Sequence, residues 1–276
     1  MRALRGADWL VRAFIVVILV FVVCAVFAPL IAPYQPDAQN IRMRLLPPLS
    51  AGHWLGTDQL GRDILSRIVF GARVSMKIGA LAVALASFVG VTLGLLAGYF
   101  GKRADDIISW LVNVQLSVPF ILLAISVVAV LGPSETNLVI VLALGSWASY
   151  ARVIRSKTLS LRNREHIEAA RALGSRTGRI LVLHLLPNML SAIVVLSSFE
   201  FAKTVIAEAA LSFLGLAPSS PRYSSWGIML AEGKDYLAAG WWVATVPGLT
   251  IMLLVLATNV VGDWSRDRFD PRGTRQ

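Results

Sequence analysis

The residues able to do chemistry are few, and their spacing argues against a reaction centre. Histidine occurs only at His53, His166 and His184, without the close spacing that metal ligands share. The single cysteine, Cys24, lies inside an apolar run, so neither a disulfide framework nor a cysteine-based metal site can form. A phosphate-binding loop of the form GxxxxGK followed by Ser or Thr would need glycine at positions 151 and 156 before Lys157 and Thr158. Those positions hold Ala151 and Ser156. The chain is therefore expected to be neither an enzyme nor the holder of a metal or cofactor, and any ATP and magnesium it depends on would be used by another polypeptide.

Charge in unusual places is the stronger signal. Glu200, Lys203 and Glu208 interrupt a hydrophobic stretch over 188–215, where a charge facing lipid is expensive. At about 100° per residue the three fall within an arc of roughly 140° on one helix. Glu200 would stand about 18 Å along a helix begun at Asn188, close to mid-membrane. They either line a polar translocation pathway for a charged or zwitterionic solute, or Glu200 and Lys203 pair to lock this helix to its neighbour. Spacing leaves both open.

Residues 152–187, RVIRSKTLSLRNREHIEAARALGSRTGRILVLHLLP, form a basic segment between apolar runs. Asn163 can cap a helix whose first turn holds Glu165. Glu168 and Arg171 are close enough to pair at i, i+3, while Ala169, Ala170 and Ala172 keep the surface smooth. Gly174 can stop that helix in the left-handed conformation. Ser175 can cap a second helix carrying Ile180, Leu181, Leu183 and Leu186 until Pro187 breaks it. Two short helices with a glycine corner make a protrusion that can enter a groove on a soluble partner. A basic loop lying on anionic lipid headgroups fits the spacing equally.

The elements that must hold these residues are membrane helices. The chain has 276 residues, 56% hydrophobic and only 15% charged, against roughly a quarter charged in a soluble domain. An all-α integral membrane protein with a single bundle accounts for the length. The net charge of +10 fits basic cytoplasmic loops better than nucleic-acid binding, for which no soluble face exists. A short N-terminus (1–13) precedes a first span over 14–32, which is longer than the apolar core of a cleaved signal peptide, the competing reading. A connector over 33–77 follows. In it Thr57 or Asp58 can cap a helix, with Asp63 near the first turns. Ile64, Leu65, Ile68 and Val69 on one face suggest a short amphipathic helix lying on the membrane surface, with Arg62, Ser66 and Arg67 elsewhere.

The transmembrane core occupies 78–262. Its first helix carries Gly90, Gly94 and Gly98, a stripe of small residues that lets another backbone pack closely. A charged turn at 102–106 leads to an uncharged run in which Pro119 separates an interfacial helix from a span beginning near Val118. A marginal fourth span covers 137–151, a fifth 188–215 and a sixth 241–262, before a tail over 263–276. Six spans put both termini on one side with the loops at 102–106 and 152–187. That side carries the larger share of Lys and Arg, which places it in the cytoplasm.

The segment EAARALGSRTGRILVLHLLP resembles the EAA loop of type I ABC importer permeases, with His184 standing where an Ile usually precedes the Leu-Pro. HWLGTDQLGRDILSRIVFGARVSMKIG, ALSFLGLAP with the later Trp226-Gly227, and GDWSRDRFDPR resemble the peptide/nickel permease subfamily in its dipeptide/oligopeptide "C" subunit type. The tail departs from that pattern at Trp264, Ser265 and Phe269. The resemblance implies a six-helix type I permease bundle with cytoplasmic coupling helices in a bacterial inner membrane. The implied partners are a homologous second permease, two ABC ATPase subunits and an extracytoplasmic substrate-binding protein, besides membrane lipids. It also implies that Glu168, Ala169, Ala170 and Gly174, with Arg171 and Pro187 in the same loop, couple to the ATPase. The implied cargo is a dipeptide or oligopeptide, with nickel chelates or glutathione as alternatives. An ATP-independent secondary transporter is the reading from another class. It should show inverted repeats with broken helices, and the chain has no convincing internal repeat.

Overall fold

The computed structural model describes residues 2–50, 52–218 and 223–269, with side chains over 9–268 of these. Every regular element among them is helical. Helix α1 (Arg2–Ile31) contains the first candidate span, Trp9–Ile31. Its helical dihedrals lapse at Phe27, two residues before Pro29, whose ring cannot donate and crowds the carbonyl four residues back.

The second helix corrects the expected surface helix. Instead of a short amphipathic piece followed by a separate span, α2 (Ile64–Phe100) is one helix of 37 residues. No proline interrupts 64–100, so nothing stops the helix at the supposed boundary. Its cap is Asp63, which accepts from the Ser66 amide at 2.7 Å. Arg67 and Ser66 are buried rather than solvent-facing, because the connector and a later helix fold over them with matching charges.

Two helices follow, α3 (Lys102–Ser117) and α4 (Phe120–Leu131), bent by 90° at the Pro119 break. The 12 residues of α4 reach only about 18 Å, short of a ~30 Å hydrocarbon core, so the crossing needs α3 as well. Five helices are long and apolar enough to span a membrane, and this bent pair makes up to six. Helix α5 (Glu135–Leu161), capped by the Ser134 hydroxyl on the Asn137 amide at 3.1 Å, does not stop at 151. It absorbs the first ten residues of the basic segment, whose loop therefore begins at Arg162.

After α6 (Glu165–Ala172), a short α7 (Thr177–Arg179) runs without interruption into α8 (Leu190–Phe213), a helical run spanning Thr177–Phe213. Pro187 thus does not break the chain as expected. The helix widens to a π turn over Ile180–Leu185 and tightens to a 3-10 turn over Leu186–Met189, which places the proline in a first turn where no donor is needed. The Asn188 side-chain amide donates to the His184 carbonyl at 2.6 Å, satisfying a group the irregular turns release. Helix α9 (Trp226–Gly233) and α10 (Trp242–Phe269) complete the bundle. Residues 219–222, and the part of the tail past Phe269, lie outside the described residues.

The closest helix pair is α2 with α5. A Cβ added to Gly94 would lie 2.7 Å from the Ala151 carbonyl oxygen, and one added to Gly98 would lie 2.5 Å from the Thr158 Cβ. The glycine stripe therefore faces a neighbour within the chain, with Tyr150, Ile154 and Thr158 filling the groove. Gly94→Leu should lower the melting temperature of the purified protein, since overpacking costs about 1–3 kcal/mol. Gly178→Ala, with open space around it, should leave the melting temperature unchanged. Equal melting of Gly94→Leu and the parent protein would show that the seam does not carry the packing.

Candidate coupling surface and buried charge networks

Helix α6 has two faces. Ile167 and Ala170 are buried, and Ile167 joins a cluster with Tyr150, Ile154, Ile180, Leu185 and Met189. Glu168, Ala169, Ala172 and Leu173 point outward. Leu173 is 87% exposed at the helix end. It was missed in the sequence, although it lies one turn after Ala169 on the same face. The outer face is thus small, smooth and partly apolar, with one carboxylate.

The chain enters α6 through Arg164, in extended conformation, and Asn163 makes no capping bond. Glu165 and Glu168 in the first turn complement the helix dipole. The exit follows the expected glycine corner. Gly174 has φ +82°, its amide donates to the Arg171 carbonyl at 3.0 Å, and the Ser175 amide donates to that of Ala170 at 3.0 Å. Arg171 does not pair with Glu168; its guanidinium lies 5.7 Å from the centre of the Tyr99 ring at the end of α2. Arg162 donates to the Gly98 carbonyl at 2.9 Å. Two arginines of the loop therefore hold it to the end of α2. Pro187 is exposed, in the turn leading to α8.

The three charges of the fifth span separate into two sites. Glu200 is buried, with Oε2 at 3.6 Å from the Lys203 Nζ and without a hydrogen bond, while the Lys203 side chain is 63% exposed. Glu208 is fully buried elsewhere: Ser75 donates to one carboxylate oxygen at 3.0 Å and Ser212 to the other at 2.7 Å. Ser225, the cap of α9, bonds Ser212 at 3.3 Å. Glu208 thus joins α2, α8 and α9, whereas the Glu200–Lys203 pair opens outward. Tyr223, in the loop before α9, has a buried hydroxyl without a partner. Burial, then the nearby carboxylates of Glu208 and Glu135, push its ionisation well above the tyrosine range, so it stays neutral.

A charge network at the opposite end of the bundle from α6 was not foreseen. Asp58 accepts from Arg62 Nε at 2.6 Å and from Arg67 at 2.7 Å, and from the amides of Leu60 and Arg62. Glu232 of α9 accepts from the same two arginines at 2.6 and 2.8 Å. Beside it His53 Nδ1 lies 2.9 Å from an Asp63 carboxylate oxygen, and Tyr34 of the connector donates through its amide to Ser66 at 3.0 Å. The local half of this network, Asp58 and Arg62 at i, i+4, was readable in TDQLGRDILSR. Its other half is distant: Glu232 comes from a helix 165 positions beyond Arg67.

Among the described residues no group of three or more His, Cys, Asp or Glu side chains is placed to hold a metal. The arrangement is a helical bundle with the exposed face of α6 at one end and a latched loop assembly at the other. The family described as "Binding-protein-dependent transport system inner membrane component" matches residues 90–275. That described as "N-terminal TM domain of oligopeptide transport permease C" matches 8–48. The chain belongs to the first of these families and is a multi-pass permease subunit of an ABC importer.

Among its relatives, it is 43% identical to the dipeptide transport system permease protein DppC of Alkalihalophilus pseudofirmus, covering 94% of this chain and 84% of that one. It is 41% identical to the glutathione transport system permease protein GsiD of Pectobacterium atrosepticum, over 92% and 84% of the two chains. The fold is similar to that of the MetNI methionine ABC transporter in an inward-facing form, with a TM-score of 0.60 at 20% identity over 75% of this chain and 98% of that one.

Removing one partner from a buried ion network leaves the others uncompensated, at a cost of about 3–5 kcal/mol. Asp58→Ala should therefore destabilise the purified protein severely, seen as lost thermal cooperativity or a much lower melting temperature. Glu232→Ala, at the partly exposed rim, should cost less. The reverse order would place the anchor at the rim.

Proposed function

We propose that this permease forms half of the transmembrane pathway of an importer for dipeptides or oligopeptides, pairing with a second homologous permease. Of two ABC ATPase subunits, one would bind the α6 face of this chain, and an extracytoplasmic binding protein would deliver the solute at the opposite end. The substrate class is supported by the 43% identity to a dipeptide permease. Glutathione, itself a small peptide, is a second reading favoured by the glutathione permease among the relatives. The excess of basic residues around α6 supports a cytoplasmic position for it and for both termini. ATP and magnesium would be used by the ATPase subunits, and this chain would bind no cofactor and catalyse no reaction.

The observation that carries the coupling role is the division of α6. Its buried face, Ile167 and Ala170, fastens it to the bundle, and its free face presents Glu168, Ala169 and Leu173. Because Arg162 and Arg171 also attach the loop to the end of α2, a push on α6 would be delivered to the α2–α5 pair. Closure of the ATPases on ATP would then tilt that pair and switch access across the membrane. Lys203, an exposed ammonium on a membrane helix, must meet water or another polypeptide rather than lipid. That supports the Glu200–Lys203 face as pathway lining, whereas Glu208, tied up by serines, has a structural role.

In the assembled importer, Glu168→Lys should reduce uptake by at least about tenfold, the loss of a contact worth ~1.4 kcal/mol or more. ATP hydrolysis should persist, and the variant should remain in the membrane at normal level. Full uptake by that variant would reject α6 as the coupling face. For the pathway, Glu200→Gln should impair uptake in normally assembled complexes, and unchanged uptake would leave the Glu200–Lys203 pair with packing alone.

A further inference from the structure

A cavity of about 240 Å³ opens between α3 and α5, lined by Ile108, Val112 and Ala151 below and by Ser109, Asn113, Arg152 and Arg155 around its mouth. Its polar groups are not equally engaged. Arg155 bonds both oxygens of Asp105, at 2.6 Å through its terminal nitrogen, and Ser109 donates to the same carboxylate at 3.2 Å. That triad is internally satisfied. Arg152 has no carboxylate partner among the described residues, and the Asn113 amide makes no hydrogen bond there. Both are exposed on helices whose adjoining surface is apolar: Ile107, Trp110, Leu111 and Val114 of α3 all face outward.

Donors at the edge of a hydrocarbon layer are costly to leave without an acceptor, and these two exposed side chains line one space. A guanidinium and an amide NH₂ ask for an acceptor-only anion. The apolar floor and the exposed α3 face ask for acyl chains attached to it. One molecule meets both demands.

We propose that this cavity binds the phosphate headgroup of an anionic membrane phospholipid, with Arg152 and Asn113 donating to the phosphodiester and the acyl chains lying along Ile107, Trp110, Leu111 and Val114. Basic pockets between helices at the membrane surface bind acidic headgroups on the same principle. The site sits at the end of the bundle that carries α6, since α5 continues from Arg152 to the α6 loop within ten residues. Occupancy would brace α3 against α5 where the Asp105–Arg155 pair already joins them.

The test is native mass spectrometry and spin-labelled phosphatidylglycerol binding on the assembled transporter in bilayer discs. The discs contain phosphatidylglycerol in phosphatidylcholine, or phosphatidylcholine alone. Arg152→Gln should weaken phosphatidylglycerol binding by roughly fivefold, the effect of about one basic side chain at a membrane surface. Arg152→Lys should restore most of it, and Lys157→Gln, outside the cavity, should match the parent. Unchanged binding in Arg152→Gln would overturn the proposal. So would equal retention of phosphatidylcholine, or displacement of the lipid by inorganic phosphate alone. Cross-linking of Asn113→Cys to a second permease would also overturn it, because the cavity would then be covered by protein.

Discussion

A bare strip of backbone along α2 decides how this bundle is put together. Gly90, Gly94 and Gly98 have no side chain to hold α5 away, and α5 accordingly lies against the α2 backbone, its residues 147–158 filling the space. In a bilayer there is little hydrophobic drive between helices, so close packing of this kind must hold them. The seam ends where the α6 loop is held. Gly98 gives its carbonyl to Arg162, and the next residue, Tyr99, lies under Arg171. The position of α6 is therefore set by the same contact that joins α2 to α5. A force on α6 would be applied to the closely packed α2–α5 pair rather than to a loose loop.

Charge is handled differently at the two ends. Away from α6, buried Asp58, Arg62 and Arg67 and the partly exposed Glu232 neutralise one another, and they clamp the 33–63 connector to α2 and α9. Glu208 and its serines extend that clamp inward through the α9 cap. Toward α6 the pairing is mixed: Arg155 is matched by Asp105, but other charges are not. Lys203 is poorly matched by Glu200 at 3.6 Å, and Arg152 stands free beside its cavity.

How much of this was legible in the sequence follows the range of each interaction. The spans, the glycine stripe, the Gly174 corner and the break at Pro119 rest on neighbours within one or two helical turns, and the residues announce them. The α2 continuity and the helical passage through Pro187 did not show. In the first case the compensation for buried Arg67 comes from Glu232, far along the chain. In the second, a π turn absorbs the proline, a local choice that depends on Ile180 and Leu185 packing under α6. The two faces of α6 were also hidden, because a run of alanines has no visible inside until Ile167 is seen to be buried. Glu200, Lys203 and Glu208 looked like one group by angle, and only the placement of Ser75 and Ser225 divides them.

Coupling through this chain requires that the outer face of α6 seat in an ATPase. Cys24 is the chain's one cysteine, so a Cys24→Ser background carrying Ala169→Cys with a photoactivatable thiol label reports what touches that face in the assembled importer. Cross-links predominantly to an ATPase subunit, changing in yield between nucleotide-free and ATP-bound states, are the predicted result. Cross-links confined to lipid or to the second permease, in a complex that still imports, would contradict it.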